Sequence, residues 1–190
     1  TDDEIKRAIT QGISRNGRGA DGVVRRFMND NLHRVRTASR SLPPLRVQGH
    51  VHNLGAIRDR LSARYFGGKL AVAVTWGRVA GLARRGRLTF GSYDPILGLV
   101  RIHPVLDRRD VPLYFLESVV YHEMLHHHLG GVPDRSGRTV YHSRIFREAE
   151  ARFPWHREAL IWEKDNLAHL LRVCERMDEE RRMQAIEARK

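Results

Sequence analysis

Apolar residues recur at two different periods along this chain, and the switches between them mark out its elements. Ile5, Ile9 and Ile13 fall at helical spacing behind a Thr1–Glu4 capping box. Three glycines within Ser14–Gly22 end that helix, and Val24, Phe27, Met28, Leu32 and Val35 predict a second one. Ser39–Pro44 reads as a linker, and Leu45–Val51 predicts a short strand. Asn53 is placed to cap a helix carrying Leu54, Ile57, Leu61 and Tyr65, closed by Gly67 and Gly68. "KLAVAVTWG" (Lys69–Gly77) predicts a buried strand, and "RVAGLARRGR" after it a basic loop. Leu88–Tyr93 and Leu99–His103 flank "DPILG", which predicts a hairpin. Asp110 is expected to cap a helix with Pro112 in its first turn, running to Gly130 and Gly131. Tyr141–Phe153 predicts a helix ended by Pro154, and Trp155 to Lys190 one long or broken helix, strongly charged beyond Glu175. The expected architecture is α+β: a helical extension and linker (1–44), a domain with a small β-sheet (45–154) and a C-terminal helix (155–190).

Composition narrows the classes. A chain of 190 residues with 41% hydrophobic and 29% charged residues reads as soluble and globular. No apolar run approaches the roughly 20 residues of a membrane helix, and the polar, acidic start shows no secretory signal. The single cysteine, Cys174, excludes a disulfide framework and any Cys-based zinc finger, and points to a reducing, cytoplasmic setting.

Charge changes the picture further. Lys and Arg total 34 against 22 Asp and Glu, a net +12, which fits either a polyanion partner such as DNA or plain arginine-rich composition. Arg84, Arg85 and Arg87 could contact phosphates, and Trp76 could stack on an exposed base. The competing reading makes Trp76 a core residue at a strand end and the arginines a solvated turn.

The chemistry concentrates in "VVYHEMLHHHLGGV" (Val119–Val132). His122, Glu123 and His126 form H-E-x-x-H on a predicted helix, where two imidazoles four residues apart share a face and can reach one ion. Zinc suits such nitrogen ligands, and Glu123, beside the metal face, is placed to act as general base toward a metal-activated water. At about 100° per residue, His127 and His128 point well away from that face and are expected to be packing or surface residues. A third ligand has to come from downstream, where His142, Glu148, Glu150, His156 and His169 are the candidates. Position 132 is Val, which rules out the metzincin spacing.

"YFGGKLAVAVTWG" (Tyr65–Gly77), "FGSYDPILGLVRIHPVL" (Phe90–Leu106), "HEMLH" (His122–His126) and "HSRIF" (His142–Phe146) together resemble the SprT-like zinc metalloprotease family, with the YgjP-like metallopeptidases as close relatives. The resemblance covers Asn53 to Phe153; the first 40 residues and the C-terminal helix have no counterpart in it. It implies a zincin-like fold with an HExxH active-site helix, one Zn2+ held by His122, His126 and His142, and Glu123 as the residue that activates water. The periodicity of the following helix points to the same third ligand: with Ile145, Phe146, Ala149 and Phe153 on its core side, His142 falls at the centre of the stripe. The expected function is a zinc metallopeptidase acting on a protein or peptide substrate, with DNA-associated or DNA-crosslinked proteins as one substrate class. The alternatives are a non-catalytic nucleic-acid-binding protein with a structural zinc, and a dedicated processing protease unrelated to DNA.

Overall fold

Asn53 starts the first helix through its own side chain: Oδ1 accepts a hydrogen bond from the Ala56 amide at 2.9 Å. In this computed structural model, which describes residues 42–78, 83–84, 87–133 and 139–188, that helix is α1 (Leu54–Tyr65). It buries Leu54, Ile57 and Leu61. Gly67 and Gly68 stop it at φ 61° and 72°, where the amide of Gly68 bonds back to the Ser62 carbonyl at 2.9 Å. A Cβ on either glycine would meet nothing within 4 Å, so the requirement there is one of backbone conformation and not of space. The predicted helices of the first 44 residues lie outside the described residues up to position 41.

Three short strands make the main sheet, in the order β1 (Ala73–Trp76), β5 (Leu99–Ile102), β4 (Gly91–Asp94). β5 runs parallel to β1 and antiparallel to β4, which places Leu99, Val100 and Ile102 in the fully buried middle. The β4–β5 hairpin is the expected one: Asp94 Oδ1 accepts from the amides of Ile96 and Leu97 at 3.1 Å, and Gly98 turns the chain at φ 60°. The basic loop folds back as a two-residue ladder, β2 (Ala83–Arg84) against β3 (Arg87–Leu88). A second such ladder joins β6 (Val132–Pro133) to β7 (Thr139–Val140).

The expected strand over Leu45–Val51 does not form. The segment keeps one isolated bridge, Gln48 to Asn53; its Arg46 amide goes to Thr75 Oγ1 at 3.0 Å, and at its far end the amides turn to a carboxylate. Asp107 accepts from the backbone N–H groups of His50, Val51 and His52 at 2.5–2.9 Å, and those three bonds hold its carboxyl below the usual range against the opposing effect of burial. Of the two readings of Trp76, the core residue at a strand end is the one found, and the stacking platform is corrected: it is 4% exposed and packs in the core.

The central element is α2 (Leu113–Leu129), which touches α1, β4, β5, α3 (Arg144–Glu150) and α4 (His156–Glu187). Asp110 does not cap it. Its carboxylate is taken by Arg108 at 2.8 Å and by His169 at 3.4 Å, so the helix starts at Leu113 with Pro112 before it. α3 is shorter than the predicted Tyr141–Phe153, because Ser143 Oγ accepts from the Phe146 amide at 3.3 Å and sets the start at Arg144. Phe146 and Phe153 are buried as expected, whereas Ile145 is exposed. α4 buries Ala159, Leu170, Val173 and Cys174, and its last turns are exposed. No helix among the described residues is long and apolar enough to cross a membrane. Among the described residues the architecture is mixed α+β, with four α-helices and a small three-stranded sheet.

His103 is 1% exposed: Nδ1 accepts from the Val105 amide at 3.0 Å and Nε2 lies 3.9 Å from Cys174 Sγ. Burial pushes its pKa down to about 4, against the opposing pull of Asp178. Between about 4 and the unfolded value near 6.5 the unfolded chain therefore binds the extra proton, and stability falls as the pH drops through that window. Denaturation midpoints measured from pH 7 to pH 4 should decline, and His103→Asn, which keeps an acceptor for the Val105 amide, should make the decline shallower. An equally steep decline in the variant would assign the effect elsewhere.

Candidate metal centre

Helical spacing on α2 sets His122 and His126 one turn apart on the same face, with Glu123 beside them. Gly130, at φ 64°, ends the helix, and Gly131 lets the chain return: a Cβ there would lie 2.2 Å from Thr139 Cγ2 and 3.0 Å from the Tyr141 ring. The β6–β7 ladder then delivers Tyr141 and His142 to the mouth of the site.

The three imidazoles converge through their Nε2 atoms. His122 and His126 are 3.1 Å apart, His126 and His142 3.2 Å, and His122 and His142 3.3 Å. A tetrahedral zinc with nitrogens at about 2.0–2.1 Å has ligand–ligand edges of about 3.3–3.4 Å, close to this nearly equilateral triangle. Among the described residues, these are the three potential ligands that come together. The buried ring of Phe146 lies under all of them, with centroids 5.1 Å from His122, 4.7 Å from His126 and 4.9 Å from His142.

His122 Nδ1 donates to Glu150 Oε1 at 2.6 Å. In the neutral ring this leaves the lone pair on Nε2, facing the centre, which is the tautomer a metal needs. Burial works to lower the pKa of His122, but the Glu150 hydrogen bond and the carboxylates of Glu123, Glu150 and Glu163 raise it. Burial would raise Glu150, yet its bond to His122 holds it below the usual range. His126 is pushed down to about 4 by burial and by its neighbours His122 and His142, and His142 is lowered by burial, by His122 and by Arg147. Three imidazoles this close cannot all carry protons, and one cation in their midst satisfies all three lone pairs.

Glu123 is 6% exposed and its carboxylate lies against Gly91 on β4. A Cβ on Gly91 would stand 2.7 Å from Oε1, so the glycine leaves the room the carboxylate occupies. Burial pushes its pKa up to about 7, with His122 opposing the shift.

The structure brings His122, His126 and His142 together but overturns the reason given for His142. It does not sit on the buried stripe of a helix. Because Ser143 caps α3, His142 stands in the segment before it and is exposed. Of the other candidates, Glu148 pairs with Arg144 at 3.5 Å, His169 with Asp110, and Glu150 orients His122 instead of reaching the centre. His127 Nδ1 lies 2.8 Å from the Tyr93 hydroxyl, and exposed His128 meets Phe66 edge-on, so neither joins the site. Trp76 is part of the buried core, Arg85 is outside the described residues, and Arg84 and Arg87 pair in the β2–β3 ladder. The orienting role of Glu150 was missed at the sequence level; its signal is the common pairing of a ligating histidine with a carboxylate, eight residues past His142. Comparison of the chain with protein-family models, curated proteins and solved structures finds no match.

Replacing His122, His126 or His142 by Ala should abolish stoichiometric zinc uptake, while His127→Ala and His128→Ala should retain it. Glu150→Gln should weaken zinc by about 10–100-fold, as loss of an orienting carboxylate does. Competition with a chromogenic chelator measures both. Unchanged affinity in the Glu150 variant would deny it an orienting part.

Proposed function

We propose that this chain is a zinc-dependent metallopeptidase with a zincin-like domain of the SprT-like kind, acting on proteins held on DNA. The observation that carries the reading is the triangle of three Nε2 atoms with a buried carboxylate, Glu123, on the same helix and outside the ligand set. A structural zinc closes its coordination with four protein ligands, whereas three leave a position open for chemistry. His122, His126 and His142 would hold the ion. Zinc, when bound there, polarises a peptide carbonyl and acidifies water.

The remaining steps belong to the chain's own residues. Glu123 accepts a proton from the attacking water at a carboxylate oxygen and passes it to the nitrogen of the leaving amine as the C–N bond breaks. Its burial against Gly91 holds that oxygen beside the metal face and shields it from bulk water. Glu150 holds His122 in register. Tyr141, exposed with its ring 6.0 Å from His126, stands beside the site. The net charge of +12 supports a polyanion partner, and the lone buried thiol of Cys174 suits a reducing cytoplasmic setting.

Glu123→Gln should keep zinc and lose about 10²–10⁴ of the rate on an unfolded protein such as casein. Wild-type activity in that variant would sink the mechanism. The DNA part is tested separately: affinity for duplex DNA should fall steeply between about 50 and 200 mM salt through counterion release. The combined Arg84→Glu, Arg85→Glu and Arg87→Glu variant should bind more weakly at unchanged zinc content. Salt-independent binding, or none at low salt, would leave the charge without that role.

A further inference from the structure

Beside Glu123 a cavity of about 210 Å3 runs between α2 and α4, bounded by Phe90, Phe115, Val119, Ala159, Leu160 and Glu163. It exceeds the roughly 150 Å3 void that takes a benzene ring, and falls short of the roughly 300 Å3 at which pockets for drug-sized ligands begin. One side chain fits it. His122, Glu123 and Glu150 also face it, so an occupant lies next to the reacting centre. Its outer wall comes from α4, the helix that lies beyond the resemblance to SprT-like proteases.

The electrostatics of this cavity run against those of the chain. In a protein of net charge +12, its lining has three carboxylates, two histidines and no Lys or Arg. Glu150 is engaged by His122, and Glu123 is the proposed base. Glu163 is half-buried and has no hydrogen bond or ion pair among the described residues. Burial raises its pKa, with His122 opposing the shift. Leu160, 55% exposed, forms the rim, and Phe115, Val119 and Ala159 offer an apolar passage inward.

We infer that this cavity receives a lysine or arginine side chain flanking the scissile bond, its aliphatic stem against Phe115, Val119 and Ala159 and its cationic end on Glu163. A long amphipathic side chain satisfies both an apolar passage and a carboxylate without a hydrogen bond of its own. The inference rests on the peptidase reading above and names the substrate class of that site: peptides with a basic residue at the cut.

The test uses the zinc-loaded chain and quenched peptides that differ at the two positions flanking one bond, carrying Lys, Arg, norleucine or Glu. The expected kcat/KM for Lys and Arg exceeds that for norleucine, the uncharged match to lysine, by about tenfold or more. Glu163→Gln should collapse that ratio toward one and Glu163→Lys should invert it toward Glu, with zinc content unchanged in both. A wild-type ratio near one, or a ratio that survives Glu163→Gln, overturns the inference and leaves the peptidase standing. If no peptide is cut, the peptidase reading fails, and anisotropy of the same peptides on the zinc-loaded protein decides the pocket. Tighter binding of Lys and Arg that Glu163→Gln removes supports it; equal binding overturns it.

Discussion

The docking of α3 on α2 is the contact on which the site depends. α3 is only seven residues long, yet Phe146 and Glu150, one turn apart, face the same way. Phe146 fills the space under three imidazoles and Glu150 takes the outer nitrogen of one of them. The Tyr121 hydroxyl donates to the Ala149 carbonyl at 2.9 Å and pins the short helix in place. A helix this short has little stability of its own, so its position comes from this packing. Had it shifted by one residue, the aromatic floor and the carboxylate would both face elsewhere.

A second constraint is space. Gly91 on the edge strand and Gly131 after the helix stop are positions where a side chain would strike the site itself: Glu123 in the first case, Thr139 and Tyr141 in the second. Both glycines sit in negative-φ or unexceptional backbone, so the demand is for closeness and not for a left-handed turn. The strand edge, the Glu123 carboxylate and the returning chain can then share one small volume. Glu123 lines the cavity between α2 and α4, which lessens the polar cost of burying it.

Elsewhere the same economy of partners decides local structure. Asp107 gathers three amides that a strand would have used, and Asp110 is drawn to Arg108 and His169 instead of capping α2. In both places a charged side chain captured nearby donors more strongly than the regular element that the pattern called for.

Period and punctuation determined the helices around Leu54–Tyr65 and Leu113–Leu129, the β4–β5 hairpin and the face shared by His122 and His126, because each depends on residues within a turn or two of one another. The same local geometry turned His127 and His128 away. His142 was named from the sequence as the third histidine, and the fold does set it beside His122 and His126, but for another reason: Ser143 shortened α3, and His142 stands as an exposed residue ahead of the helix. Trp76 in the core, Glu150 on His122, Gly91 against Glu123 and the α4 wall of the cavity all join residues separated by tens of positions. Contacts of that span leave no period in the chain, and only tertiary packing decides which side chains they bring together.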